Sequence, residues 1–398
     1  MPTISPDLAQ FESQLERRVE EKIFDFQRQQ RLKHLIFAAQ LSPELLEKFR
    51  QMADMIRRLA REPVGNKELK QLLSHKRAML YFTQPSTRTF LSFMAACQIL
   101  GITCNEVRDS KTSSEVKRES QMDSIRMFSS YFDVIIMRSP IVNLAESCAY
   151  MMNRLESQEM RAVPTINAGS GSDEHPTQAL LDMYTIQRTF GFDLSSSVGE
   201  NRYRELKNAY PDLTEGPASK TYLFCGDIGR GRTVRSLATV LSRYPHQRMF
   251  FVSPNHGVLK LDSELKQWLT RAGVEVFEFD SLDAQLDNEP ILAQTDCLYM
   301  TRIQREHNSE ATTLEIESLD LSPFQLTLDR VDKLKQYTPI MHPFPRDSVT
   351  QEIPTQVDSD RRVMYFRQAR NGMWVRAALL VHLLDAADEL FNQYRNRY

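Results

Sequence analysis

Short β-rich runs alternate with stretches of helical period along most of this chain, and no other feature narrows its fold so far. The runs are Ala78–Phe82, Asp133–Met137, Val163–Asn167, Thr221–Cys225, Arg248–Val252, Val274–Phe279, Cys297–Thr301 and Pro339–His342. Between them lie amphipathic stretches such as Gln178–Thr189 and Val234–Ser242. Such alternation predicts βαβ units, hence parallel sheets covered by helices on both faces. So many strands exceed one doubly wound sheet, and 398 residues suffice for two cores. The expected fold class is α/β, with two doubly wound parallel-sheet domains.

The division follows the same pattern. Leu8, Phe11, Leu15, Val19, Ile23 and Phe26 recur at steps of three and four, which predicts an amphipathic helical extension over residues 1–32. Its apolar stripe needs a partner, either its own domain or a neighbouring subunit. Ser42-Pro43-Glu44 reads as an N-cap with Pro in the first turn. The first domain is expected over 33–190, completed by a C-terminal helix at 374–395, and the second over 191–373. Residues 194–220 are punctuated by Ser, Gly and Pro without a period, and predict a surface insertion.

Composition excludes several classes. With 50 Lys and Arg against 52 Asp and Glu, no global charge draws the chain to nucleic acid or acidic membranes. Apolar runs are too short to span a bilayer. Five cysteines (Cys97, Cys104, Cys148, Cys225 and Cys297) without a CxxC pair fit neither a disulfide framework nor a thiolate zinc site. The acidic N-terminus lacks a signal or transit pattern, so the expected location is cytoplasmic. No H-x-x-x-H, Cys/His cluster or grouped carboxylates occur, so neither metal nor cofactor is expected.

Five loops carry the chemistry. After Ala78–Phe82 comes Thr83-Gln84-Pro85-Ser86-Thr87-Arg88-Thr89 and then a helix, the arrangement of an anion site at a helix N-terminus. GxxxxGK[ST] is absent, so it is not a P-loop. Asn167–Gln178 is a glycine-containing loop with His175 just ahead of a helix and Gln178 one turn on. Cys225–Thr233 spaces its glycines GxxGxG rather than GxGxxG, and the next strand ends in Ser253-Pro254 where a ribose-binding acid would stand. That argues against a dinucleotide; Arg230 and Arg232 suit a carboxylate instead. Met300–Glu306 closes another strand, and His342-Pro343-Phe344-Pro345-Arg346 is a loop stiffened by two prolines. Anion clamps without a covalent nucleophile suggest transfer between two anionic small molecules.

STRT at 86–89, SDEHPTQALLD at 172–182, GRTVRSL at 231–237, TRIQRE at 301–306, HPFPR at 342–346 and YFRQARNG at 365–372 stand in one order. In that order they resemble the aspartate/ornithine carbamoyltransferase family, and its aspartate branch in particular. The likeness spans about residues 33–395, without the N-terminal extension and the 194–220 insertion. It implies carbamoyl transfer from carbamoyl phosphate to L-aspartate, the committed step of pyrimidine synthesis, in a cleft between a carbamoyl-phosphate domain and an aspartate domain. By position, Ser86, Thr87, Arg88 and Thr89 would hold the phosphate. Thr89, Arg138 and His175 would polarise the carbonyl oxygen, and Gln178 with the carbonyls of Pro343 and Phe344 would bind the carbamoyl NH2. Arg232 would take the aspartate α-carboxylate, and Arg302 with Gln304 the β-carboxylate. Ser113 and Lys117 would enter from the adjacent subunit of a homotrimer. The resemblance leaves open a regulatory chain or a dihydroorotase partner.

The sequence also departs from the family pattern. Gln84 stands for a usual Glu and His307 for a usual Arg, so both charges of one expected network are replaced. Phe90, Arg118, Ser170 and Phe344 replace a usual Arg, Gly, Asp and Leu. The competing readings are the same chemistry on another amino acceptor and a non-catalytic scaffold that binds carbamoyl phosphate.

Overall fold

The computed structural model describes residues 6–28, 31–109, 120–171, 174–191, 204–304 and 310–398. The chain divides into two compact units, one of Met1–Tyr184 with Arg370–Tyr398 and one of Thr185–Ala369. Each is built on a parallel sheet, as the alternation predicts.

In the first unit β1 (Arg77–Phe82), β2 (Thr103–Val107), β3 (Val134–Arg138) and β4 (Thr165–Asn167) lie in the order β2-β1-β3-β4, all parallel. β2 is absent from the strands expected above. It is an edge strand without a fully buried residue, and TCNEV has no apolar run to announce it. The central strands are buried on both faces and read as apolar runs, as parallel strands do.

Helix α1 (Pro43–Leu59) starts as expected: the Ser42 hydroxyl accepts the Leu45 N–H at 3.2 Å. Helices α2 (Thr87–Leu100), α3 (Gln121–Tyr131), α4 (Leu144–Ser157) and α5 (Pro176–Phe190) follow in turn. The C-terminal part of α8 (Tyr365–Leu383) and all of α9 (Ala387–Arg395) complete this unit.

The N-terminal segment corrects the expected single helix. It is broken into short pieces, Pro6–Phe11, Glu12–Leu15, Val19–Lys22 and Ile23–Phe26, with Arg18 extended between two of them. Leu8, Phe11, Leu15 and Phe26 are buried in one core with Met151 and Tyr150 of α4, so the stripe does cover its own domain. Lys22 explains the break. Its ammonium is buried, donates to the Leu15 carbonyl at 2.7 Å and lies 2.9 Å from the buried Glu146 carboxylate of α4. A charge removed from water needs such partners, and a straight helix would keep the Leu15 carbonyl for itself.

In the second unit β5 (Thr221–Cys225), β6 (Arg248–Val252), β7 (Glu275–Phe279), β8 (Cys297–Met300) and β9 (Ile340–Met341) are ordered β9-β8-β5-β6-β7, again parallel. Helix α6 (Arg232–Leu241) follows β5, and α7 (Ser263–Arg271) precedes β7. The expected surface insertion holds only in part. Leu213 and Lys220 at its end are buried, and burial lowers the Lys220 pKa to about 8 while its ammonium donates to the Thr214 carbonyl at 2.8 Å.

Candidate functional site

The strand orders decide which loops meet. In the first sheet the order reverses between β1 and β3, so the chains leaving those two strands part to opposite faces and open a crevice at their C-terminal ends. Phe82 pairs with Arg138 at that end, and the Gln84 N–H continues the ladder onto the Arg138 carbonyl at 3.2 Å. In the second sheet the same reversal falls between β5 and β8, with Cys225 opposite Met300. Three of the five loops singled out from sequence, those after β1, β5 and β8, therefore leave a strand that flanks a switch point of its own unit, and the other two leave the strand next to it.

In the first crevice Ser86 is the N-cap of α2 yet makes no side-chain bond to the helix. Arg88 is exposed in the first turn and Thr89 nearly buried. The first-turn N–H groups and positive end of a fourteen-residue helix therefore stand beside a hydroxyl and a guanidinium. Arg138 closes β3 and donates to the Ala168 carbonyl at 3.2 Å, with the same Nη1 3.5 Å from His175 Nε2.

The Asn167–Gln178 loop is folded by its first residue. Asn167 Oδ1 accepts the N–H groups of Gly169 and Ser170, both at 2.9 Å, while its amide donates to the Glu174 and Ile36 carbonyls at 3.2 Å. Gly169 has φ +98°, and a Cβ there would come 2.8 Å from both Arg138 Nη1 and His175 Cδ2. Only glycine lets the backbone pass these two side chains. His175, 4% exposed, has Nδ1 3.4 Å from the Thr177 hydroxyl, and its carbonyl accepts the Gln178 N–H at 2.9 Å. Gln178 donates its side-chain amide to Asp182 one turn along α5, at 2.9 Å. Ser172 and Asp173 lie outside the described residues.

In the second crevice Gly226, at φ +120°, passes under β8: a Cβ would lie 2.1 Å from the Thr301 carbonyl. The glycines of this loop thus serve close packing. One expectation is corrected here. Arg230 is no ligand-facing cation, because it grips the buried Asp227 carboxylate at 2.6 Å and donates to the Gln304 carbonyl at 2.7 Å. Asp227 in turn accepts the Gln304 N–H at 3.1 Å, and its own N–H donates to the Thr301 hydroxyl at 3.1 Å. The pair clamps the chain that carries Arg302 and Gln304. Sequence reading missed Asp227; an acid three residues before Arg230 in a loop was its only signal. Arg232, first residue of α6, and Arg302 are half-buried.

The HPFPR loop is fixed from several sides. His342 is buried, accepts the Phe344 N–H on Nδ1 at 2.8 Å and places Nε2 3.0 Å from Glu352. Its own N–H donates to Gln368 at 2.9 Å. Arg346 forks onto Asp358 at 2.6 and 3.1 Å, which holds its charge and raises its pKa further.

A family model described as the aspartate/ornithine carbamoyltransferase carbamoyl-P binding domain matches residues 33–188, and the Asp/Orn binding domain of the same family matches 218–383. The chain belongs to the aspartate/ornithine carbamoyltransferase family. It is 37% identical over 356 residues to an aspartate carbamoyltransferase catalytic subunit of Chromobacterium violaceum, covering 89% of this chain and 98% of that one. A chloroplastic aspartate carbamoyltransferase of Pisum sativum is 35% identical over 323 residues, 80% of this chain and 71% of the relative. Among solved structures, the M. jannaschii aspartate transcarbamoylase catalytic subunit superposes with a TM-score of 0.68 at 32% identity, covering 89% of this chain and 98% of that one. The Trypanosoma cruzi aspartate transcarbamoylase in complex with carbamoyl phosphate gives 0.70 at 28% identity, with the same coverages.

Against this family, the substituted positions have local reasons. Ser170 is buried, and its hydroxyl accepts the Ser139 N–H at 3.1 Å, a task that needs no charge. Phe90 packs edge-on against Phe82 at 5.4 Å, with the Arg108 guanidinium 4.7 Å from its ring centre. Phe344, at φ +56°, packs on Tyr365 and Phe366, each at 5.7 Å. Nothing in the structure explains Gln84, whose Oε1 is buried without a partner among the described residues. Ser113, Lys117, Arg118 and His307 lie outside the described residues. The YFRQARNG motif gains a reason: a side chain at Gly372 would meet Arg376 Nη1 at 2.7 Å, and that guanidinium is buried against the Phe93 ring. Among the described residues, no group of three or more His, Cys, Asp or Glu side chains could hold a metal ion.

Proposed function

We propose that this carbamoyltransferase joins carbamoyl phosphate and L-aspartate to give N-carbamoyl-L-aspartate and phosphate. The observation that carries the reading is the first crevice, where a helix N-terminus with Ser86 and Arg88 stands beside Arg138 and His175 held 3.5 Å apart. A phosphate fits the first part and a carbonyl oxygen the second. Attack by the neutral aspartate amine forms the C–N bond and puts negative charge on that oxygen. Thr89, Arg138 and His175 stabilise the tetrahedral oxyanion, an electrostatic role that costs about 10²- to 10³-fold in kcat per donor lost in comparable sites. Collapse breaks the C–O bond, the phosphate leaves held by Ser86, Thr87, Arg88 and Thr89, and the amine passes its proton to an oxygen of that departing phosphate. Gln178 and the carbonyls at Pro343 and Phe344 bind the carbamoyl NH2.

Arg232 and Arg302, with Gln304, take the two aspartate carboxylates, supported by the Asp227–Arg230 clamp on the Gln304 backbone. Holding amine and carbonyl carbon in line supplies much of the remaining rate. The working form is a cytoplasmic homotrimer in which a neighbouring subunit lends Ser113 and Lys117. Purified protein assayed with carbamoyl phosphate should carbamoylate L-aspartate and leave ornithine and other amines unchanged. Turnover of another acceptor in preference to aspartate overturns the assignment.

A further inference from the structure

Gln178 is an amide with two unlike ends, and the structure fixes which end is spent. Its Nε2 donates to Asp182 Oδ1 at 2.9 Å, and a carboxylate oxygen is an acceptor that tolerates only the NH2 end at that distance. Asp182 is fully buried, so no water competes for it. Arg376 stands on its other side: this guanidinium is 2% exposed, is attracted electrostatically to Asp182, and is anchored by a 2.7 Å bond to Ser92. Burial pulls the Arg376 pKa down only to about 10, so it is charged at neutral pH. Ser92 lies one turn beyond Thr89 on α2, so the network joins the helix of the anion site to α5.

We propose that Asp182 is a positioning residue that sets donor specificity: by holding the NH2 end of Gln178, it turns Oε1 outward as a hydrogen-bond acceptor for an NH2 group on the acyl carbon of the phosphate donor. This rests on the proposed function, in which Gln178 meets the carbamoyl NH2. Asp182 thereby favours a carbamoyl over an acyl phosphate of similar shape, such as acetyl phosphate, whose methyl group cannot donate. A pocket built to pair with an NH group discriminates more steeply than one that merely fits a shape.

The test is the affinity of the full chain for carbamoyl phosphate and for acetyl phosphate, by calorimetry, in wild type and Asp182→Asn. Asparagine turns its own oxygen to Arg376 and its NH2 to Gln178, which reverses the Gln178 amide. The carbamoyl-to-acetyl affinity ratio should fall about ten-fold or more, whereas general loosening of the site moves both ligands, which share the phosphate, together. An unchanged ratio in folded Asp182→Asn overturns the inference. If that variant does not fold, the wild-type chain decides: with the Gln178 NH2 resonance assigned through Gln178→Met, its protons should exchange at least about ten-fold slower than those of free glutamine. Exchange at the free rate overturns the inference as well. A wild type that binds neither phosphate refutes the proposed function and this inference together, whereas carbamoyl phosphate binding with an unchanged ratio refutes the inference alone.

Discussion

Arg230 and Asp227 form an ion pair at 2.6 Å whose outer edges both reach the backbone of Gln304, one at its carbonyl and one at its N–H. The pair therefore does for the loop after β8 what a strand partner would do, since that loop has left the sheet. Arg230→Ala should raise the KM for aspartate about ten-fold, the scale of a lost charge-assisted bond, and leave carbamoyl phosphate affinity unchanged. Steady-state kinetics with calorimetry on the phosphate substrate measures both. An equal loss for both substrates would contradict the clamp.

Gly169→Ala puts a methyl group 2.8 Å from Arg138 and His175, the two polar side chains of the proposed carbonyl site, at a φ that alanine resists. Arg138 and His175 must then separate. Activity should fall about 10²-fold or more, the scale of losing a preorganised donor. Activity within two-fold of wild type would show that the spacing of this pair does not matter.

Arg88 and Arg302 stand in different units, and their loss should split cleanly. Arg88→Ala should lower kcat/KM at least about 10²-fold, as for a preorganised donor. Arg302→Ala should raise the aspartate KM strongly and spare carbamoyl phosphate binding. Calorimetry that finds Arg302→Ala weakening both substrates alike counts against the division of labour.

Two buried histidines make the first unit sensitive to acid. Burial lowers His382 to about 4 and His34 to about 3, and His34 Nδ1 accepts the Thr165 N–H at 2.9 Å, a bond that protonation destroys. Both are neutral when folded, whereas the unfolded chain binds their protons near pH 6.5. Stability is thus full above about pH 6.5 and falls as pH drops toward 4, by up to about 1.4 kcal/mol per pH unit for each histidine. His382→Phe keeps the edge-on contact with Phe49 and removes one titration. Its melting temperature should fall less than that of wild type between pH 6.5 and 4.5; parallel slopes would dismiss His382 as a source.

The proposed homotrimer, with Ser113 and Lys117 lent by a neighbouring subunit, is tested by a mixing experiment. Lys117→Ala and His175→Ala proteins should each be nearly inactive. Dissociated and reassembled together, they should regain part of the activity, because some interfaces pair an intact Lys117 with an intact His175. Subunits that exchange without recovery would mean that each chain builds its site alone.

The sequence by itself determined the class of fold and marked the loops that carry the proposed chemistry. A buried parallel strand must be apolar on both faces, so β3 and β5 announce themselves, and a hydroxyl-and-arginine turn before a helix reads as an anion site from local rules alone. The tertiary structure decided what local rules cannot carry. The strand order puts the loop after β1 beside the end of β3, across a gap of some fifty residues in sequence, and register is set by pairing over that distance. It also chose between two arginines of one loop, because only the fold brings Asp227 and the Gln304 carbonyl within reach of Arg230. At the N-terminus the apolar stripe was legible but the helix was not. Burying the Lys22 ammonium against Glu146 and the Leu15 carbonyl outweighs an unbroken helix, and those partners meet only in the folded unit.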